Sequence, residues 1–293
     1  YDSMLERLEG GGLSFADQEY LGVLVRMNKN RVRAFSGSGI EEERWAKLFA
    51  HYFNLSVCSE MVNLALWLEN KQGSKLQPEH LETIALELGL ECCETLTQLK
   101  ALIKKAISSL QLQVNNPMKD LGITLSMAES PLRAFSEAIQ SQGLLGDRVI
   151  FCCIDEYENL LDYQQAILNT YIKHAEPPLS YKVGVRKNGL RNRQTLDGQD
   201  LLRVPDDCLE IEIADEGFEF FAKAVAELRL KYAQGVGAQV SDNLRDFLQE
   251  LSLAEEAVVL GADRVAAAVL DELKADKHYS YFSQKSQSEL SFL

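Results

Sequence analysis

The sequence predicts an α/β fold: a layered core of strands and helices, a long helical insertion, and a helical part at the C-terminal end. Three observations carry this. Apolar runs at 20–27, 149–154 and 179–185 alternate with helical patterns, as in a sheet covered by helices. Between the first two runs, residues 41–141 show only helical periodicity. From about 240 onward no strand pattern recurs. The expected division is a core over 1–234, including the insertion, and a lid-like bundle with a tail over 235–293.

Composition supports a packed protein and excludes several classes. The 293 residues are 46% hydrophobic, 8% aromatic and 25% charged, enough apolar side chain for a sizeable core. No run reaches the roughly 18 apolar residues of a spanning helix, so no membrane partner is expected. No basic-plus-apolar leader is visible either, and the cysteine usage fits a reducing cytoplasm, the expected location. The net charge of −14 argues against a surface that coats nucleic acid throughout, while leaving room for a local basic patch.

The elements follow in order. Tyr20–Met27 reads as a short strand after the glycine turn at 10–12. Phe35-Ser36-Gly37-Ser38-Gly39 is a loop; it lacks the lysine and spacing of a phosphate-binding loop. A helix runs from Glu41 to about Asn70, with Trp45, Leu48, Phe49, Tyr52 and Phe53 on one face. Further helices are expected over 77–88, with Pro78 in the first turn, over 94–112, and from Ser130-Pro131 until Gly143. After the strand at 149–154 come a helix over 163–174, a strand over 179–185 and a basic loop. Leu209–Ile213 alternates apolar and acidic residues and predicts a strand with one wet face. Helices over 218–232, 242–251 and 255–274 complete the chain, with Phe221, Val225, Leu228 and Leu230 of the first turned inward.

The cysteines (Cys58, Cys92, Cys93, Cys152, Cys153 and Cys208) lack the C-x2-C spacing of a zinc or redox site and are expected to be mainly buried thiols. The four histidines are scattered.

Chemistry concentrates at Val149-Ile-Phe-Cys-Cys-Ile154 followed by Asp155-Glu156. An unbroken apolar run suits a strand buried on both faces. Ligands sit at the carboxyl ends of such strands. An aspartate there can hold Mg²⁺ through water, and a glutamate beside it can orient an attacking water. Asp-Glu also occurs at 215–216 and 271–272, but only Asp155-Glu156 follows an apolar strand and precedes a helix. This order is the Walker B pattern. The segment 182–193 then holds five basic residues and no acidic one. Arg186 and Asn188 follow the next strand and are candidates for sensing a phosphate. Arg191 is a candidate for reaching a neighbouring subunit's phosphate.

At these residues the chain resembles bacterial P-loop ATPases of the AAA+/STAND group, origin-recognition-like in type. The resembling segments are Ile154-Asp-Glu-Tyr-Glu-Asn-Leu160, Leu168-Asn-Thr-x-Ile-Lys-His174 and Lys182-x-Gly-Val-Arg-x-x-Gly189. The resemblance implies a three-layer αβα P-loop core with a helical lid. Its cofactors would be ATP and Mg²⁺, with Asp155 on the metal and Glu156 in hydrolysis. It also places an inter-subunit arginine at Arg203. It implies a nucleotide-driven switch or assembly motor, of the kind used in antiphage defence. The implied partners are further copies of the chain, an effector protein, and DNA through the loop 182–193. No G-x-x-x-x-G-K-[ST] occurs in the 293 residues, and the phosphate-binding loop is expected upstream of Tyr1. A DNA-binding module with ATP as conformational ligand, and a scaffold with a degenerate site, are the alternatives.

Overall fold

A computed structural model describes residues 18–116, 122–213, 218–235 and 251–275. It divides into two compact units, 1–211 and 212–293.

In the first unit, strands β1 (Tyr20–Arg26), β2 (Val149–Asp155) and β3 (Leu179–Val183) form a parallel sheet in the order β1-β2-β3. Leu21, Ile150 and Leu179 stand side by side, as do Val25, Ile154 and Val183. The period-2 geometry of strands therefore stacks Leu21, Val23, Val25, Ile150, Cys152, Ile154 and Leu179 on one buried face. The other face carries Tyr20, Leu24, Phe151, Cys153 and Lys182. There Tyr20 and Phe151 meet edge-on, and the Lys182 ammonium lies 4.1 and 4.2 Å from their ring centroids. The sequence predicts β2 buried on both faces; among the described residues its second face is only half-buried.

Helix α1 (Lys29–Val32) is a single turn started by Asn28, whose side chain accepts from the Asn30 and Arg31 amides. Helix α2 (Glu42–Gln72) runs 31 residues without Gly or Pro and stops at Gly73, which adopts φ 73°. It packs on β1 and on three further helices, α4 (Leu96–Asn115), α5 (Ser130–Ser141) and α6 (Asp162–Lys173). Because neighbours surround it, residues from Leu48 to Leu68 are buried on more than the one face the sequence predicts. Each fully buried Leu or Phe there contributes roughly 1.5–3 kcal/mol. Helix α3 (Pro78–Glu87) begins at its proline, and Thr95 caps α4 by accepting from the Gln98 amide at 3.2 Å. All six cysteines are free thiols; Cys58, Cys93 and Cys152 are buried, whereas Cys92 is exposed.

Residues 209–213 are not a strand. Leu209, Ile211 and Ile213 are exposed, and no described strand pairs with them. Alternation supplies the pattern of a strand, but a strand exists only with a hydrogen-bonding neighbour.

The second unit contains α7 (Phe218–Gly235), α8 (Leu253–Val259) and α9 (Ala262–Ala275). Phe221 and Leu228 are exposed rather than inward, since no described residue of this unit covers them. The helix expected over 255–274 is broken at Gly261, with φ 68°. Ser252 and Glu255 form a capping box at the start of α8. The helix expected over 242–251, except its last residue, and the tail from 278 lie outside the described residues.

Candidate functional site

The carboxyl ends of β1 and β2 meet in register, and this places the site. Arg26 and Asp155 are neighbours across the sheet and end their strands. Arg26 Nε lies 3.3 Å from Asp155 Oδ2 and 3.7 Å from Glu156 Oε1. The side chains of Asp155 and Glu156 are 42% and 38% exposed, so both carboxylates reach solvent. Asp155 is also fixed locally: its Oδ1 accepts from the Glu156 amide at 2.9 Å, and its carbonyl accepts from the Met27 amide at 2.9 Å.

Glu156 occupies the left-handed region at φ 60°, ψ 40°. A non-glycine residue there costs of order 1 kcal/mol and persists only where its surroundings hold it. Here Asn159 Nδ2 donates to Glu156 Oε2 at 3.0 Å and to the Met27 carbonyl at 2.9 Å. The Tyr157 amide donates to the Gly184 carbonyl at 3.2 Å. The turn after β2 is thereby tied to the ends of both flanking strands.

The other candidate residues lie on the loops after β3. Arg186 closes on Glu158, with its Nε 3.1 Å from Oε1 and its amide donating to Oε2 at 3.4 Å. Asn188 is left-handed at φ 63°. The next residue, Gly189, sits so close to the turn that a Cβ there would come within 2.6 Å of Glu158 Cβ. Arg191 is occupied within its own chain: it donates to the Glu158 and Leu160 carbonyls and to Asp162 Oδ1. Arg193 pairs with Glu210. Arg203 belongs to a loop held by α6. Its amide donates to Asp207 Oδ2 at 2.8 Å, and Lys173 Nζ lies 2.9 Å from the same carboxylate and 3.1 Å from Asp200. The Arg203 amide and then Lys173 hold the Asp207 carboxyl below its ordinary range. Among the described residues, no hydrogen bond or ion pair joins Arg186, Asn188, Arg191 or Arg203 to Asp155 or Glu156.

The described residues of this unit enclose hollows. One, of about 440 Å³, is lined by Arg33, Phe35, Gly37, Trp45, Tyr163 and Arg191. Another, of about 780 Å³, belongs wholly to the helical insertion and shares no residue with the sheet ends.

A family model described as ORC-CDC6-like matches residues 2–293. The chain belongs to the ORC-CDC6-like family. No curated protein and no solved structure matches it. The ORC-CDC6-like family is origin-recognition-like and AAA+, and its members are ATPase-like modules that generally bind ATP with Mg²⁺. In this ORC-CDC6-like chain the end of β2 offers two adjacent carboxylates that reach solvent, oxygen ligands of the kind a hard cation takes. Among the described residues no group of three or more His, Cys, Asp or Glu clusters to enclose a metal ion. Arg26 supplies the counter-charge to the two carboxylates.

Arg26 and Asn159 are the site residues that sequence reasoning missed. Arg26 ends β1, and two parallel strands paired in register bring their last residues together; strand length alone was the available signal. Asn159 lies inside the segment Ile154–Leu160 that carries the resemblance.

Proposed function

We propose that this ORC-CDC6-like chain acts as an ATP-driven switch whose nucleotide site includes the carboxyl end of β2. The observation that carries this reading is the pair Asp155-Glu156: adjacent carboxylates at the end of a parallel strand, with Glu156 held in a strained backbone by Asn159. Asp155 would hold Mg²⁺ through water, and Glu156 would orient the attacking water and accept its proton. The metal, when bound, supplies charge neutralisation at the phosphates. Arg186 and Asn188 stand on the loop that would register the terminal phosphate. Arg203 is the candidate for contact with a neighbouring copy. Arg191, engaged in its own chain, is better suited to holding the turn than to reaching across. Assembly with further copies, gating of an effector and service in antiphage defence extend this reading by resemblance.

The test is Glu156→Gln in the full-length protein. ATP binding is expected to persist while turnover stops. Unchanged turnover would remove Glu156 from the mechanism.

A second reading, DNA binding, is favoured by a specific charge pattern. Lys29, Arg31 and Arg33 follow β1, and among the described residues none has an ion pair. In the loop 182–193, by contrast, Arg186, Arg191 and Arg193 each pair with a carboxylate. DNA contact, expected from the sequence at 182–193, is therefore proposed for 29–33.

A further inference from the structure

We infer that Gln165 and Asn169 of α6 are positioning residues that fasten the loop 186–194 to the turn after β2, so that the two move as one body. The inference rests on the ATPase reading for its consequence, not for its geometry.

Both side chains are fully buried, at 0% exposure. They lie four residues apart and so share one face of α6. Apart from the Tyr157 hydroxyl, their side-chain partners are main-chain groups of the loop 189–194. Gln165 Oε1 accepts from the Arg191 and Asn192 amides, each at 3.0 Å, and its Nε2 donates to the Gly189 carbonyl at 3.0 Å. Asn169 Nδ2 donates to the Asn192 and Gln194 carbonyls at 2.8 and 2.9 Å. Asn169 Oδ1 accepts from the Tyr157 hydroxyl at 2.8 Å.

Tyr157 is the link. It immediately follows Glu156, is itself buried, and its hydroxyl also reaches the Gln165 carbonyl at 3.2 Å. From the loop side, the Arg191 guanidinium grips the same turn through the Glu158 and Leu160 carbonyls. A displacement of Glu156 is thus passed by Tyr157 to Asn169 and by the turn carbonyls to Arg191. Leaving either carboxamide's partners unmet in a dry interior is costly, so the parts shift together or not at all. The loop so held carries Arg186 and Asn188.

The experiment combines hydrogen exchange and turnover on the full-length protein. In Gln165→Leu, the Arg191 and Asn192 amides are expected to exchange at least about tenfold faster, while α6 and the sheet keep their protection. Turnover of ATP should fall about tenfold or more with KM for ATP little changed. Gln165→Glu, whose carboxyl burial holds in the protonated form, retains both acceptor bonds and a donor for the Gly189 carbonyl, and should restore protection and most of the turnover. If Gln165→Leu does not fold, Asn169→Ser serves: its short neutral side chain loses the two donor bonds to the Asn192 and Gln194 carbonyls without burying a charge, and exchange should rise at 192–194. Unchanged exchange in these variants overturns the positioning role. Faster exchange with unchanged turnover overturns the coupling. A wild-type protein without ATP binding or turnover overturns the ATPase reading instead, and the exchange measurements still decide whether the carboxamides hold the loop.

Discussion

Arg26 and Asp155 end adjacent parallel strands in register, and the Arg26 guanidinium lies 3.3 Å from the Asp155 carboxylate. One cation thus serves two carboxylates, since Glu156 Oε1 is 3.7 Å from the same nitrogen. A metal ion arriving at Asp155 would compete with Arg26 for the same negative charge. The pair is well exposed, so its own contribution to stability is small, about 0–1 kcal/mol.

Arg26→Gln should therefore leave the thermal midpoint nearly unchanged and ease metal binding. The Mg²⁺ concentration for half-maximal ATP binding is expected to fall by about threefold, matching a weak exposed pair. Titrating Mg²⁺ at fixed ATP in wild type and variant checks this. A higher Mg²⁺ requirement in the variant would show that Arg26 supports the nucleotide rather than opposes the metal.

Acid should weaken the insertion through His51. This residue is 1% exposed, and burial lowers its pKa to about 4. Its Nδ1 accepts from the Ser126 amide at 3.1 Å, a role that a proton on that nitrogen abolishes. Because the folded value lies below the ordinary 6.5, the unfolded chain takes up its proton first as pH falls. Stability is fully present above about pH 6.5 and is lost progressively down to about pH 4, by roughly 3 kcal/mol from this group. Urea midpoints measured across that range should slope more steeply in wild type than in His51→Gln.

The charge pattern makes a contrast that DNA binding can test. Replacing Lys29, Arg31 and Arg33 by alanine should weaken binding and lower the slope of log affinity against log salt by about one for each lost phosphate contact. Replacing Arg191 and Arg193 should leave that slope unchanged, because both are paired with carboxylates. A filter-binding titration over salt gives both slopes.

Much of the architecture was legible in the sequence. The helices of the insertion carry their own start and stop signals, such as Pro78 and Gly73, and β2 announces itself by its apolar run. What failed was what depends on a neighbour. Leu209–Ile213 has the period of a strand, yet strand formation needs a partner, which periodicity does not report. Helix α2 showed one apolar face in its first turns, and its burial from several sides follows from helices brought in from 96–173. At the site, Asp155 and Glu156 were visible from composition and order. Arg26 was not, because its meeting with Asp155 is set by strand register across more than a hundred residues. Arg191 reads from the sequence as a candidate for reaching a neighbouring subunit's phosphate; its bonds to the carbonyls of 158 and 160 are invisible to a reading of charge.

The central claim is that the end of β2 holds the metal of a bound nucleotide. The most direct measurement is the Mg²⁺ dependence of ATP binding by full-length Asp155→Asn, compared with wild type and with Asp197→Asn, where the aspartate's hydrogen bonds lie within its own turn. The account predicts that Asp155→Asn alone needs about tenfold more Mg²⁺, the loss of one charged ligand. An Asp155→Asn protein that binds Mg²⁺ and ATP as wild type does would contradict it.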